Sequence, residues 1–71
     1  MPDEWFAFQI RGLRYRMGMT QREFADLMDV SASTVSKWET GAHPPTKGRR
    51  TALTAIDRMH RTVFTSRQLP G

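Results

Sequence analysis

Residues 20–41 read TQREFADLMDVSASTVSKWETG: two short amphipathic segments with almost nothing between them. A lone helix of either length is marginal in water, so the pair must be stabilised by packing. Thr20 and Glu23 have capping-box spacing, in which hydroxyl and carboxylate satisfy each other's backbone amides. Phe24, Leu27 and Met28 form the expected buried face, with the small Ala25 beside them, and this helix stops near Met28. Asp29-Val30 make the turn. Ser31 then suits the N-cap of a second helix. Val35 and Trp38, three apart, point inward, while Ala32, Ser33, Ser36 and Lys37 point outward. Trp38 has the chemistry of a base-stacking residue, but its spacing with Val35 assigns it to the core, where aromatic area contributes most. Gly41 ends the helix and Pro44-Pro45 forbid its continuation.

On the N-terminal side, a helix is predicted from Asp3 to Met17, with Pro2, Asp3 and Glu4 suited to its start. Phe6, Ile10, Leu13 and Met17 form one apolar stripe, and Gly18 follows as a C-terminal stop. Trp5, Phe8, Gly12 and Tyr15 form a second stripe on nearly the opposite face. An aromatic face of this kind needs covering, by Val63, Phe64 and Leu69 of the C-terminal segment or by a second protein. On the C-terminal side, a fourth helix begins near Lys47 or Gly48, with Ala52, Leu53, Ile56, Met59, His60 and Val63 on its inner side and Arg49, Arg50, Arg58 and Arg61 largely elsewhere. Residues 68–71 are expected to fray. No strand pattern and no internal repeat is present. The expected fold is all-α, a compact bundle of four to five short helices in one domain, residues 1–66, with a flexible tail at 67–71.

Composition narrows the function. The 71 residues contain no cysteine and two histidines, which excludes disulfides and thiolate metal sites. His43 reads as a loop residue and His60 as a helix-surface residue. No metal and no cofactor is expected. No apolar run approaches a membrane span, and MPDEWFAF lacks the basic start of a signal peptide, so the cytoplasm is the expected location. No Ser/His/Asp set, Cys/His set or phosphate-cradling glycine loop is present, so an enzyme is not expected. The net charge is +4 and uneven. Residues 1–39 carry five basic and six acidic side chains, whereas residues 40–71 carry six basic and one acidic. Such a balance points to a polyanionic partner.

Two short helices joined by a tight turn in a small, basic, all-helical domain describe a helix-turn-helix. The chain resembles the Cro and phage-repressor type, or XRE-like, family of such domains. Met19–Gln21 (MTQ), Ala25, Val30, Ser33–Gly41 (STVSKWETG) and Pro44-Pro45 carry the resemblance, which spans about residues 8–60. One position departs: the family usually has glycine at the turn, where this chain has Asp29. Aspartate tolerates a left-handed conformation better than most residues, at some cost.

The resemblance implies a lambda-repressor-like fold with a structural ion pair between Arg14 and Glu39. It implies double-stranded DNA as partner, with the third helix in the major groove. Carried over by position, the base readers are Ala32, Ser33 and Lys37. Lys37 suits guanine O6 or N7, Ser33 discriminates weakly, and Ala32 reaches only a thymine methyl. Flanking and phosphate contacts fall to Gln21, Arg22, Thr34, Ser36, Lys47, Arg49 and Arg50. Base readout is thin, so DNA shape is expected to contribute. Relatives usually bind inverted repeats as homodimers. A transcriptional repressor, often of its own promoter and of phage or mobile-element origin, is the expected function. The alternatives are an antitoxin-type regulator, with a protein partner seated on Trp5, Phe8 and Tyr15, and an interaction module without DNA binding.

Overall fold

The computed structural model describes the backbone of residues 4–68 and the side chains of residues 4–61. Four helices occur in it: α1 (Ala7–Arg16), α2 (Gln21–Met28), α3 (Ala32–Thr40) and α4 (Lys47–Gln68). No strand occurs among the described residues.

Helix α1 starts later than its composition suggests. Glu4–Phe6 lie outside any helix, and Phe6 is extended, with φ −83° and ψ 160°. The Phe6 N–H donates to Gln9 Oε1 at 2.8 Å, so Gln9 satisfies the amide that opens the helix. The indole of Trp5 donates to Thr54 Oγ1 at 3.0 Å, tying the entering segment to α4. Trp5 therefore is not part of a helical stripe with Phe8, Gly12 and Tyr15. Phe6, expected inside, is 54% exposed and stacks on Phe8 with ring centroids 6.1 Å apart. Ile10 and Leu13 are fully buried. Gly18 has φ +69°, and the Met19 N–H reaches back to the Arg14 carbonyl at 3.2 Å, closing α1 as a left-handed glycine stop does.

The helix pair follows from its caps. Thr20 Oγ1 accepts the Glu23 N–H at 3.1 Å and Glu23 Oε1 accepts the Thr20 N–H at 2.8 Å, the reciprocal capping box. Asp29 ends α2 in the left-handed region, at φ 60° and ψ 45°, while the Val30 N–H returns to the Ala25 carbonyl at 3.0 Å. Ser31 Oγ accepts the Thr34 N–H at 3.1 Å and starts α3. Gly41, at φ 82°, stops it.

The core consists of Ile10, Leu13, Phe24, Ala25, Met28, Val35, Trp38 and Leu53. Besides Phe6, two further expected core residues lie outside it. Leu27 is 45% exposed and Met59 67% exposed. Phe24, Ala25 and Met28 already fill the inner face of α2, which leaves Leu27 at its margin. Among the described side chains of α4 only Leu53 is buried, with Ala52 and Ile56 half-buried against the cluster. At 22 residues, α4 is about 33 Å long, and it is not one of the short helices expected. It runs through residues 67 and 68, so the boundary placed after residue 66 falls inside the helix. Residues 1–3 and 69–71, and the covering role assigned to Val63, Phe64 and Leu69, lie outside the described residues or side chains.

Candidate nucleic-acid interface

Helix α3 presents an outer face because its inner face is held at three points. Val35 and Trp38 insert into the core, Ser31 caps its start, and Glu39 is clamped near its end. Arg14 Nε donates to Glu39 Oε2 at 2.6 Å, Arg14 Nη2 to Oε1 at 2.9 Å, and Gln21 Nε2 to Oε1 at 3.1 Å. Arg14 Nη1 also donates to the Met19 carbonyl, and Arg11 Nη2 to the Glu39 carbonyl. One residue of α3 is thus tied to both preceding helices. Burial alone would raise the Glu39 carboxyl. The bonds from Arg14 and Gln21, with the charges of Arg14 and Arg11, outweigh it and hold the carboxyl below its usual range. The Arg14 guanidinium, bonded to that carboxylate, is raised above its ordinary value despite its own burial. No buried side-chain polar atom lacks a partner among the described residues.

On the outer face of α3, Ser33 and Lys37 are exposed. Thr34 and Ser36 are half-buried, and the Thr34 hydroxyl shares a hydrogen with Ser31 Oγ at 2.9 Å. Ala32, expected to point outward, is half-buried and packs against the core cluster. The helix begins at Ala32, one residue after the turn, so its methyl still faces the junction of α2 and α3.

The cationic candidates divide by their own contacts. Arg22 and Lys47 are exposed. Arg49 donates to the Met28 carbonyl at 3.0 Å and the Asp29 carbonyl at 3.4 Å, covering carbonyls that the end of α2 leaves unpaired. Arg50 donates to the Pro45 carbonyl at 2.9 Å. Gln21 spends one amide hydrogen on Glu39, and its second remains.

The structure adds two residues that the reading above left aside. Between α3 and the start of α4 lies a cleft of about 410 Å3, lined among others by Thr34, Lys37, His43, Thr46 and Arg49. Thr46 Oγ1 accepts the Arg49 N–H at 3.4 Å, an N-cap signal legible as a threonine just before Lys47. The His43 N–H donates to the Lys37 carbonyl at 3.3 Å, a return over the end of α3 that no local pattern announces.

Two other surfaces lie away from α3. Met17, Leu27, Ile56, Met59 and His60 line an apolar groove between α2 and α4. Phe8 and Tyr15 are exposed on α1, with the Arg14 guanidinium 4.8 Å from the Tyr15 ring centre. No described helix is long and apolar enough to cross a membrane. No group of three or more His, Asp or Glu able to hold a metal ion occurs among the described residues.

Neither curated proteins nor solved structures match the chain. A family model described as a helix-turn-helix domain matches residues 5–65, the span from Trp5 through most of α4. The chain belongs to the helix-turn-helix domain family, in its XRE-like group, a membership that suggests a DNA-binding regulator.

Proposed function

We propose that the chain is a sequence-specific, double-stranded DNA-binding transcriptional regulator that works in the cytoplasm without catalysis or a cofactor. The observation that carries this reading is the rigid seating of α3, through Val35, Trp38 and Glu39, with Ser33 and Lys37 left exposed. A helix so held enters a major groove without first being ordered. Lys37 is the principal base reader and Ser33 the weaker one. Ala32 contributes its remaining exposed methyl surface. Arg22, Lys47 and the free hydrogen of Gln21 contact phosphates, with Thr34 and Ser36 flanking, while Arg49 and Arg50 add charge as they brace the scaffold.

The proposed assembly is a homodimer on an inverted repeat, with half-sites about 10 base pairs apart. The apolar groove of Leu27, Ile56 and Met59 favours α4 as the dimer face, because Trp5 is already bonded to Thr54 and the aromatic stripe of α1 is broken. Autorepression, in a phage or mobile element, is the proposed role. A second reading, an interaction module that keeps the fold without DNA affinity, is favoured by the half-buried Ala32, which reduces base readout further. A competition gel shift separates them. Lys37→Ala is expected to cost roughly 1–3 kcal/mol on the preferred site and to relax one base position. Absence of any duplex retardation at low salt favours the interaction module, or an antitoxin whose partner sits on Phe8 and Tyr15.

A further inference from the structure

A groove between α1 and α4, about 480 Å3 in volume, holds two features for which the fold has no use. Trp5, Phe8, Gly12 and Arg16 line one side of it, and Asp57 and Arg61 of α4 the other. The first feature is Gly12. Glycine inside a helix is destabilising relative to alanine, and close approach of another backbone is a usual reason to have it. Here a Cβ at Gly12 would meet no described atom within 4 Å, and its backbone is not left-handed. The described fold therefore does not call for glycine, yet its missing side chain leaves room between Phe8 and Arg16 for one from outside. Apolar wall is already in place beside it. Phe8 is 68% exposed, and Trp5 is half-buried and held by its bond to Thr54.

The second feature is charge. Arg16 Nη2 and Arg61 Nε both donate to one oxygen, Asp57 Oδ1, at 3.2 Å. Two guanidiniums thus share a single carboxylate, and both keep further N–H groups for a second one. The other acid in the lining, Glu4, precedes α1 whereas Arg16 ends it, so about 15 Å of helix separates them. Glu4 and Asp57 together disfavour a phosphodiester chain along the groove, and the aromatic walls favour an apolar side chain.

We propose that this groove docks an acidic amphipathic segment of a partner protein. A bulky apolar side chain of that segment seats over Gly12 against Trp5 and Phe8, and one of its carboxylates bonds Arg16 and Arg61. Gly12 and Arg16 are one helical turn apart, about 6 Å along the axis. The partner's apolar anchor and its acid are therefore about two residues apart if the segment is extended, and three or four if it is helical. The proposal is independent of the DNA-binding reading, because none of these residues belongs to α3 or to the proposed phosphate contacts.

The test selects random linear peptides, displayed on phage, against the full chain. An enriched peptide is then synthesised with a fluorophore and its affinity measured by fluorescence polarisation. The enriched peptides are expected to share an Asp or Glu at that spacing from a Leu, Ile or Phe. The double variant Arg16→Gln with Arg61→Gln is expected to weaken binding about tenfold or more. Gly12→Leu is expected to abolish it. Circular dichroism checks that both variants fold, and neither is expected to change any duplex affinity. Gly12→Ala, which adds one methyl in open space, is expected to raise the melting temperature. A lower melting temperature means that the glycine serves the fold, and overturns its assignment to docking. No enrichment, enriched peptides without the acid, or undiminished binding by either groove variant overturns the proposal. So does loss of duplex affinity in those variants, which assigns the groove to DNA. A shift of Gly12→Leu from dimer to monomer in sedimentation without peptide also overturns it, by assigning the groove to a second copy of this chain.

Discussion

Two ion-pair systems in this molecule share their chemistry and differ in consequence. Arg14 and Glu39 meet at 2.6 Å inside the α1–α3 unit, both side chains almost wholly buried. Asp57 on α4 meets Arg16 of α1 and Arg61 of its own helix, each at 3.2 Å, with both arginines exposed. The first pair is surrounded by matched donors and ties α3 to α1 and α2. The second is screened and contributes little. The contrast extends to the helices. Each end of α2 and α3 is specified by a named group: the Thr20–Glu23 box, left-handed Asp29, the Ser31 cap and Gly41. Among its described side chains, helix α4 buries Leu53 alone and leaves Met59 outside. Precision is concentrated around α3, while α4 keeps apolar surface available.

Breaking one side of the buried pair tests that contrast most severely. Glu39→Ala is expected to lose about 3–5 kcal/mol, because Arg14 remains as an uncompensated buried charge. Asp57→Asn is expected to lose less than about 1 kcal/mol. Urea unfolding of the two variants checks this, and equal losses would erase the distinction. The same carboxyl fixes an acid dependence. Its pKa is depressed in the folded chain, so its stabilisation is complete above the unfolded carboxylate value, about 4.3, and is lost as pH falls through the folded value. Wild-type melting temperature should drop below about pH 4, and Glu39→Gln should start lower and vary less with pH.

The next effect concerns Arg49, through which α4 braces the turn. Arg49→Ala uncovers the Met28 and Asp29 carbonyls and is expected to cost about 1 kcal/mol in denaturant unfolding, whereas loss of an exposed phosphate ligand alone would leave stability unchanged. The smallest effect has the opposite sign. Asp29 pays the steric penalty of a left-handed conformation without a side-chain hydrogen bond. Asp29→Gly is therefore expected to raise stability by up to about 1 kcal/mol, read as a higher melting temperature. A lower one would mean that the aspartate side chain stabilises the turn.

The legible parts of this fold are those governed by short-range chemistry. Thr20, Glu23, Ser31 and Gly41 act within three or four residues of themselves, so their roles can be read along the chain. Ile10, Leu13, Phe24, Val35, Trp38 and Leu53 obey the helical period of a buried face. The start of α1 was illegible because it depends on Trp5 finding Thr54, 49 positions away. Leu27 and Met59 follow the apolar period but occupy the edge of a face already filled, which only the crossing of α2 with α4 decides. At the candidate interface, Ser33 and Lys37 follow from helix phase. The engagement of Arg49 and Arg50 with backbone carbonyls does not, because charge alone cannot distinguish a scaffold arginine from a free one. His43 is hidden for a related reason: its placement comes from the return of the loop over α3, not from any neighbour in sequence.

The central claim is that α3 reads base edges, with Lys37 as its main donor. Selection of bound sites from random duplex DNA, run in parallel with wild type and Lys37→Ala, addresses it most directly. The account predicts two enriched half-sites about one helical turn apart for the wild type, and loss of preference at one base position per half-site for the variant. No enrichment with the wild type, or an unchanged motif with the variant, would contradict it.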